Sequence, residues 1–141
     1  MKKKILVLCT GNSCRSQMAH GYLEQMGGDR VEVYSAGVET HGLNPGAVAI
    51  MAEDGLDIAH HTSNHVDEYR EIDFDYVITV CDHAKERCPW FPTTALLFHE
   101  NFPDPAKAKG TEIEVKQAFE HTRNIIKSWC AAFVKQHIHQ S

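Results

Sequence analysis

A cysteine and an arginine on either side of a short turn are the residues of this sequence best suited to chemistry. The apolar run Lys3–Leu8 leads directly to Cys9, and Arg15 follows the turn. A cysteine thiolate is a strong nucleophile. The planar guanidinium of an arginine can hold two oxygens of an oxyanion at once. This placement predicts that Cys9 attacks a tetrahedral oxyanion held by Arg15.

The residues after Cys9 are suited to binding an anion through their backbone. These residues, which with Cys9 we call the oxyanion loop, are Thr10, Gly11, Asn12, Ser13, Cys14, Arg15 and Ser16. Gly11 and Asn12 tolerate a positive φ, which would turn backbone N–H groups toward an anion at the start of a helix. That helix terminus and Arg15 should lower the pKa of Cys9, and the Ser16 hydroxyl could donate to its sulfur. For Cys14 we expect only a packing role.

Apolar runs that alternate with helical patterns predict an α/β fold with parallel strands. The predicted strands are Lys3–Leu8, Val31–Ser35, Tyr76–Val80 and Ala95–Phe98, and the predicted helices are Arg15–Met26, Pro45–Glu53, Val66–Glu71 and Glu112–Lys135. In the last helix, side chains at spacings of three and four form one face that should pack on the sheet. Its members are Val115, Phe119, Thr122, Ile126, Trp129 and Phe133. Cys130, on the same helix, is expected in the core.

The length and composition fit a single domain over residues 1–141. The formal net charge of −5 gives no general attraction to nucleic acid or an anionic membrane, so a substrate anion must be attracted locally. The first apolar run fits a strand better than a leader, and we expect a cytoplasmic protein. Five cysteines then favour catalytic or redox use over structural disulfides. Because no exposed apolar stripe is evident, we expect a monomer.

Cys81 and Cys88 form a second pair of interest. Ligands gather at the carboxyl ends of parallel strands, so Cys9 and Cys81 would share one edge if their strands are neighbours. A helix over Asp82–Arg87 would hold Cys81 and Cys88 about 10 Å apart, too far for a disulfide, so bridging them would require that helix to melt. Chance pairing and a metal site are the alternatives, but the spacing is unlike that of zinc cysteines.

Asp104 is the candidate proton donor. It lies between Pro103 and Pro105, and two prolines restrict the backbone around its carboxyl group. A carboxylic acid held over the anion could protonate a departing oxygen. Taken alone, the motif would more simply be a turn aspartate.

The segment from Cys9 to Ser16 resembles the phosphate-binding loop of low-molecular-weight protein tyrosine phosphatases and of the thioredoxin-coupled arsenate reductases that share their fold. Cys81 through Cys88 resembles the redox loop of those reductases, which simple phosphatases lack. The resemblance spans essentially the full chain and implies a four-stranded parallel sheet flanked by helices. It also implies that Asp104 is the general acid. Ala106 stands where the phosphatases typically carry a tyrosine, which weakens the aryl-phosphate alternative.

The resemblance implies reduction of arsenate, with phosphate or sulfate as competing anions and with no cofactor. In the implied mechanism Cys9 attacks arsenic, Cys81 attacks Cys9 and releases arsenite, and Cys88 resolves the disulfide. Thioredoxin would then reduce the Cys81–Cys88 disulfide. Two alternatives stay open. A phosphatase would need Cys9, Arg15 and Asp104 alone, and an arsenite- or metal-sensing thiol protein would use the cysteines as soft ligands.

No metal site is predicted from the sequence. The histidines considered, which show no obvious set of coordinating partners, are His60, His61, His65, His137 and His139. Some arsenate reductases of the resembled family bind potassium beside the loop through acidic residues. This chain has His20 and Asn64 at those places, alongside matching Asn12 and Ser35.

Potassium should therefore have little effect on activity, because the two acidic ligands are missing. The check is to compare turnover rates in potassium and sodium salts at equal ionic strength. A large rate increase with potassium would contradict this prediction.

Overall fold

The computed structural model describes residues 2–82, 91 and 93–139. Within them the strands are β1 (Lys3–Cys9), β2 (Val31–Gly37), β3 (Tyr76–Thr79) and β4 (Leu96–His99), and the α-helices are α1 (Arg15–Gly27), α2 (Pro45–Glu53) and α3 (Glu112–Phe133). Short 3-10 helices occupy Gly28–Arg30, Val66–Tyr69 and Pro105–Lys107, and a π-helix over Val134–Ile138 follows α3. None of the helices in these ranges has the length and apolar character needed to cross a membrane.

The four strands form one parallel sheet, as predicted, and their order is β2-β1-β3-β4. The chain passes from β1 to β2 on one side and later reaches β3 on the other, so the strand order reverses beside β1. Ligands bind outside the carboxyl ends of strands at such a switch point. The residue at the carboxyl end of β1 is Cys9, which pairs with Gly37 of β2.

β1 is the most enclosed strand described. The four residues from Ile5 to Leu8 are fully buried, as expected of a parallel strand covered on both faces. Ile5 and Val7 pack in the larger core, which includes residues of all three α-helices. Leu6 and Leu8 pack in a smaller cluster with Phe74 on the other face. Burial on both faces fixes the position of the strand end that carries Cys9.

Local signals fix two helix boundaries near the predicted places. The side-chain oxygen of Asn44 accepts hydrogen bonds from the backbone N–H groups of Gly46 (2.8 Å) and Ala47 (3.3 Å), and Pro45 is the first residue of α2. After α1, Gly28 takes a φ of 55°, a conformation that glycine adopts without a steric cost.

The expected helix over Val66–Glu71 is wrong in type and length. The structure has a single 3-10 turn over Val66–Tyr69, closed by a capping box between His65 and Glu68. Only Val66 of this turn is buried. With so little apolar surface to bury, the segment gains too little from packing to support a longer α-helix.

The final helix matches its predicted apolar face but not its predicted end. Phe119, Thr122, Ile126 and Phe133 are buried, while the remaining members of the stripe, Val115 and Trp129, are half-buried against the core. The α-helical geometry ends at Phe133 and continues as π-helix, so the expected end at Lys135 is wrong.

The edge strand β4 carries exposed apolar side chains that the sequence analysis did not anticipate. Leu96 is 61% exposed and Leu97 is 64% exposed. The monomer stays a prediction, but its stated premise, that no apolar stripe is exposed, does not hold for this strand.

Candidate active site

The oxyanion loop joins the carboxyl end of β1 to the N-terminus of α1. Cys9 ends the strand, Arg15 begins the helix, and each is 3% exposed. Three loop carbonyls accept backbone bonds from the segment after β2: Thr10 from Glu39, Gly11 from His41 and Ser13 from Asn44, at 2.9–3.1 Å. The loop is thus anchored along its length by a separate part of the chain.

Asn12 supports the loop from within. Its φ is 47°, as predicted, and its side chain is fully buried. The amide nitrogen donates to the carbonyl of Ser35 (3.1 Å), and the amide oxygen accepts from Ser16 Oγ (2.8 Å) and Gln17 Nε2 (3.1 Å). A hydroxyl has one proton to give, so Ser16 here supports the loop, and the predicted bond from Ser16 to the sulfur of Cys9 is corrected.

Gly11 serves a different purpose from the predicted one. Its φ is not positive, but a Cβ at this position would overlap the imidazole of His41. Gly37 has a similar role, since a Cβ there would overlap the carbonyl oxygens of Thr10 and Cys9. Both glycines therefore permit a close approach of other groups to the loop.

A cavity of about 390 Å³, which we call the Cys9 cavity, opens over the loop. Its lining includes Cys9, Arg15, His41, Asp104 and Lys107. The volume is ample for a tetrahedral oxyanion. A larger cavity of about 470 Å³ is lined by residues of α2 and α3 and contains neither cysteine nor histidine, so it lacks the groups for this chemistry.

Sequence reasoning missed His41 and Lys107. His41 lies after β2 and reaches the cavity only because the fold brings that segment over the loop; its Nε2 lies 2.6 Å from a carboxylate oxygen of Glu39. Lys107 is in the 3-10 turn that Asp104 caps. Lys107 follows the predicted acid Asp104 by only three residues, so the sequence could have indicated that both lie near the same site.

Arg15 and Asp104 meet in this cavity. Arg15 Nη2 lies 3.5 Å from Asp104 Oδ2, and Arg15 Nη1 donates to the carbonyl of Phe102 at 3.4 Å. The other carboxylate oxygen of Asp104 accepts from the backbone N–H of Ala106 at 3.1 Å, which fixes the side chain as the cap of the 3-10 turn. The candidate acid thus lies beside the candidate anion ligand, with a side chain that is 18% exposed.

Two other described cysteines, Cys14 and Cys130, are poor nucleophiles. Burial raises the pKa of Cys14, and the nearby Asp104 and Cys9 raise it further. Burial also raises the pKa of Cys130, which is fully enclosed beneath α1 with its Sγ 3.9 Å from the carbonyl of Ala19. Both stay protonated at neutral pH, which fits the packing roles expected for them.

Cys81 lies two residues beyond the end of β3, the strand that neighbours β1. Because β1 and β3 are neighbours, Cys9 and Cys81 lie at the same edge of the sheet. Cys81 also belongs to the same buried cluster as Cys9. Cys81 is disulfide-bonded in the structure, whereas Cys9 is in the reduced form. Cys88 lies outside the described residues, as does the expected helix after Asp82.

A second cavity adjoins the first and reaches Asp82. It has a volume of about 350 Å³, shares Arg15, Asp104 and Lys107 with the Cys9 cavity, and is also lined by Asp82. Because Asp82 directly follows Cys81, this space runs from Arg15 of the oxyanion loop to the residue next to Cys81.

Histidines behind the loop are brought together by the fold. His20 and Glu24 of α1 meet His61, which follows α2. Burial and the neighbouring His20 lower the pKa of His61 to about 4, so its imidazole is neutral at neutral pH. No local spacing links His61 to α1, which is why the sequence analysis left it without partners.

Comparison with known proteins gives a family match, similar relatives and similar solved structures. The family model described as low molecular weight phosphotyrosine protein phosphatase matches residues 4–141. An arsenate reductase of Oceanobacillus iheyensis is 46% identical over 134 residues, which cover 95% of this chain and 96% of the relative. An arsenate reductase of Bacillus subtilis is 48% identical over 127 residues, covering 89% and 91%. A solved arsenate reductase in its phosphate-binding state matches with a TM-score of 0.81 at 28% identity, covering 95% of this chain and 98% of that one.

Proposed function

This chain belongs to the low molecular weight phosphotyrosine protein phosphatase family, and from that premise we propose that it is an arsenate reductase. Curated relatives that carry this name are 46% and 48% identical to it over most of both chains. The observation that carries the proposal is the meeting of Cys9, Arg15 and Asp104 around one cavity at the carboxyl end of β1.

Arsenate binds in the Cys9 cavity, where Arg15 is its main ligand. Arg15 has its guanidinium beside Asp104 at 3.5 Å, a separation at which an arriving oxyanion can compete for the same donors. Lys107 adds a second positive charge at the cavity wall. These local cations attract the anion although the chain carries a net charge of −5.

Cys9 attacks the arsenic of bound arsenate as a thiolate, and Asp104 in its protonated form gives its proton to the departing oxygen, which leaves as water. The product of this step is a covalent adduct between Cys9 sulfur and pentavalent arsenic. The rigid end of β1 and the anchored loop hold the sulfur against the bound anion, which provides the orientation that such a displacement needs.

The two electrons that reduce arsenic come from two thiols. Cys81 attacks the sulfur of Cys9 and forms a Cys9–Cys81 disulfide, while the sulfur–arsenic bond breaks with its electron pair on arsenic and arsenite departs. Cys88 then attacks Cys81, which frees Cys9 and leaves a Cys81–Cys88 disulfide. A dithiol protein such as thioredoxin reduces that disulfide by exchange and completes the cycle.

The test is arsenate-dependent NADPH consumption with thioredoxin and thioredoxin reductase, repeated with glutaredoxin, glutathione and glutathione reductase. We expect consumption with the thioredoxin system alone. Consumption with neither system would overturn the proposal of arsenate reduction, and consumption only with glutathione would overturn the coupling to thioredoxin. Cys130→Ala, in the core away from the Cys9 cavity, is the matched cysteine control and should keep the rate.

A phosphatase is the second candidate because Cys9, Arg15 and Asp104 would suffice to hydrolyse a phosphate ester. Substitution separates the two activities. Cys81→Ser should abolish arsenate turnover and leave any hydrolysis of a small phosphate ester intact. Equal loss of both activities in this variant would contradict the division of roles. An arsenite-sensing protein, the third alternative, would bind without turnover and would leave the oxyanion loop unexplained.

A further inference from the structure

Two imidazoles and a carboxylate converge behind the oxyanion loop, outside the Cys9 cavity. His20 and Glu24 lie one turn apart on α1 and therefore share a face of that helix. Glu24 Oε2 lies 3.5 Å from His20 Nε2, and Glu24 Oε1 lies 3.6 Å from His61 Nε2. One ligand atom from each of the three residues lies within 4.8 Å of the others. We call these residues the His–Glu cluster.

The hydrogen bonds of Gln17 determine which ring nitrogen of His61 carries the proton and which carries a lone pair. Gln17 Nε2 donates to the backbone carbonyls of Asn12 (3.0 Å) and Thr62 (2.9 Å), which can only accept. The amide oxygen of Gln17 therefore faces His61 Nδ1, at 3.0 Å. Because that oxygen accepts, Nδ1 carries the proton of a neutral imidazole and Nε2 presents its lone pair to Glu24.

The cluster thus aims an imidazole lone pair at a carboxylate. The side chain of His61 is 5% exposed, so water reaches its imidazole poorly, whereas the Glu24 carboxylate is partly solvated. An acceptor that faces an anion across 3.6 Å is unfavourable until a cation lies between them. The ring of His20 is oriented in a similar way, since its Nδ1 lies 2.8 Å from Ser35 Oγ, a group that can accept or donate, while its Nε2 faces Glu24. Imidazoles that ligate metals are usually oriented in this way, by a hydrogen bond at the other nitrogen.

The geometry points to a binding site for a zinc-like divalent cation held by His20 Nε2, His61 Nε2 and the Glu24 carboxylate. Zinc binds imidazole and carboxylate at about 2.0–2.2 Å, so tetrahedral ligand atoms lie about 3.4 Å apart. Each imidazole is at about that separation from one oxygen of Glu24, and the three ligand atoms, which lie within 4.8 Å of one another, would draw together around the ion. Calcium and magnesium prefer sites made only of oxygen ligands, so two imidazole nitrogens disfavour them here. The Glu24 side chain is 48% exposed, which leaves room for water as the fourth ligand.

The site would act on the oxyanion loop through two existing contacts. Gln17 connects His61 to Asn12, the residue with positive φ in the loop, and Ser35 connects His20 to the strand whose carbonyl Asn12 contacts. A bound cation would fix both imidazoles and with them this support. The cation takes no part in the chemistry at Cys9, and the site does not depend on which reaction the cavity performs.

The test is titration of the reduced, metal-free protein with Zn²⁺ by calorimetry, and with Co²⁺ by absorption. We expect one equivalent to bind, and Glu24→Gln, at an exposed side chain, to weaken binding at least about tenfold. His61→Gln should do the same, and His121→Ala, an exposed histidine on α3, should bind as the wild type does. At the same zinc concentration, the metal should also raise the thermal unfolding midpoint of the wild type more than that of Glu24→Gln.

The cysteines are the competing ligands, and the Co²⁺ spectrum distinguishes them. Nitrogen and oxygen ligands give visible d–d bands without the near-ultraviolet thiolate-to-cobalt band that cysteine ligation adds. The Cys9→Ser/Cys81→Ser double variant should bind with unchanged affinity. A thiolate band in the equivalent that Glu24 controls, unchanged affinity in both Glu24→Gln and His61→Gln, or no binding at all would overturn the proposal.

Discussion

At the scale of single residues, Asn12 meets two demands of the oxyanion loop with one side chain. Its backbone takes a φ of 47°, which most residues adopt only at a cost, and its amide bonds both the loop-supporting residues Ser16 and Gln17 and the neighbouring strand at Ser35. Glycine could meet the first demand and not the second. Asn12 therefore explains more of the loop's shape than Gly11 does.

Two replacements of Asn12 distinguish the contribution of its positive φ from that of its side-chain hydrogen bonds. Asn12→Gly keeps the backbone conformation but leaves buried polar partners unsatisfied, so we expect a loss of about 2–4 kcal/mol in the free energy of unfolding. Asn12→Ala should lose about 1 kcal/mol more from the strained φ. Urea unfolding measures both. Gly28→Ala, a positive-φ position with open space around it, is the control for the backbone cost alone. Wild-type stability in Asn12→Gly would contradict this account of the loop.

At the scale of elements, Asp54 ties together the three α-helices that cover one face of the sheet. It follows α2, accepts from the Tyr22 hydroxyl of α1 at 2.7 Å, and pairs with Lys127 Nζ of α3 at 2.8 Å. The Lys127 ammonium, with help from the Tyr22 hydroxyl, lowers the pKa of Asp54 below its ordinary value. These contacts hold α1, and with it Arg15, against the other helices.

Asp54→Asn should lower the free energy of unfolding at pH 7 by about 1 kcal/mol, a modest value because the pair is partly exposed. A carboxyl whose pKa is lower in the folded state stabilises the fold above its unfolded pKa and loses that effect as pH falls through the folded value. The difference between variant and wild type should therefore shrink below about pH 3.8. Denaturant unfolding as a function of pH measures it, with the exposed Asp73→Asn as control. A difference that stays constant into acid would contradict the ion pair.

Elements of regular periodicity could be predicted from the sequence, and contacts between distant segments could not. The buried run of β1 and the three-and-four spacing of α3 are local patterns, so both elements were predicted to within a few residues. The contact of His41 with the oxyanion loop depends on how the segment after β2 packs. The meeting of His61 with α1 likewise joins residues 44 positions apart at Gln17. The predicted chemistry of Cys9, Arg15 and Asp104 came from a local motif and a family resemblance, which need no such packing information.

At the scale of the whole molecule, a chain with a net charge of −5 has to bind an anion. Arg15 and Lys107 supply positive charge at the Cys9 cavity, while the total charge repels the substrate weakly at long range. Local placement of charge, not its sum, should therefore govern affinity.

Lys107→Gln should raise the KM for arsenate by up to about fivefold with little change in kcat. This is the effect expected from the loss of one partly exposed charge interaction with the bound anion. Lys135→Gln changes the net charge by the same amount at an exposed position in the π-helix and should leave KM unchanged. Steady-state kinetics at fixed ionic strength measures both. Equal effects of the two substitutions would indicate that the total charge controls binding and would contradict the local role of Lys107.

The central claim is that the Cys9 cavity holds the Cys9 sulfur as a thiolate ready to attack a bound oxyanion. The most direct measurement is the rate of alkylation of Cys9 by iodoacetamide as a function of pH, followed by mass spectrometry of the modified residue. The account predicts a midpoint well below the value of about 8.5 of an ordinary cysteine, while the buried Cys14 and Cys130 stay unmodified. A midpoint at the ordinary value would contradict it.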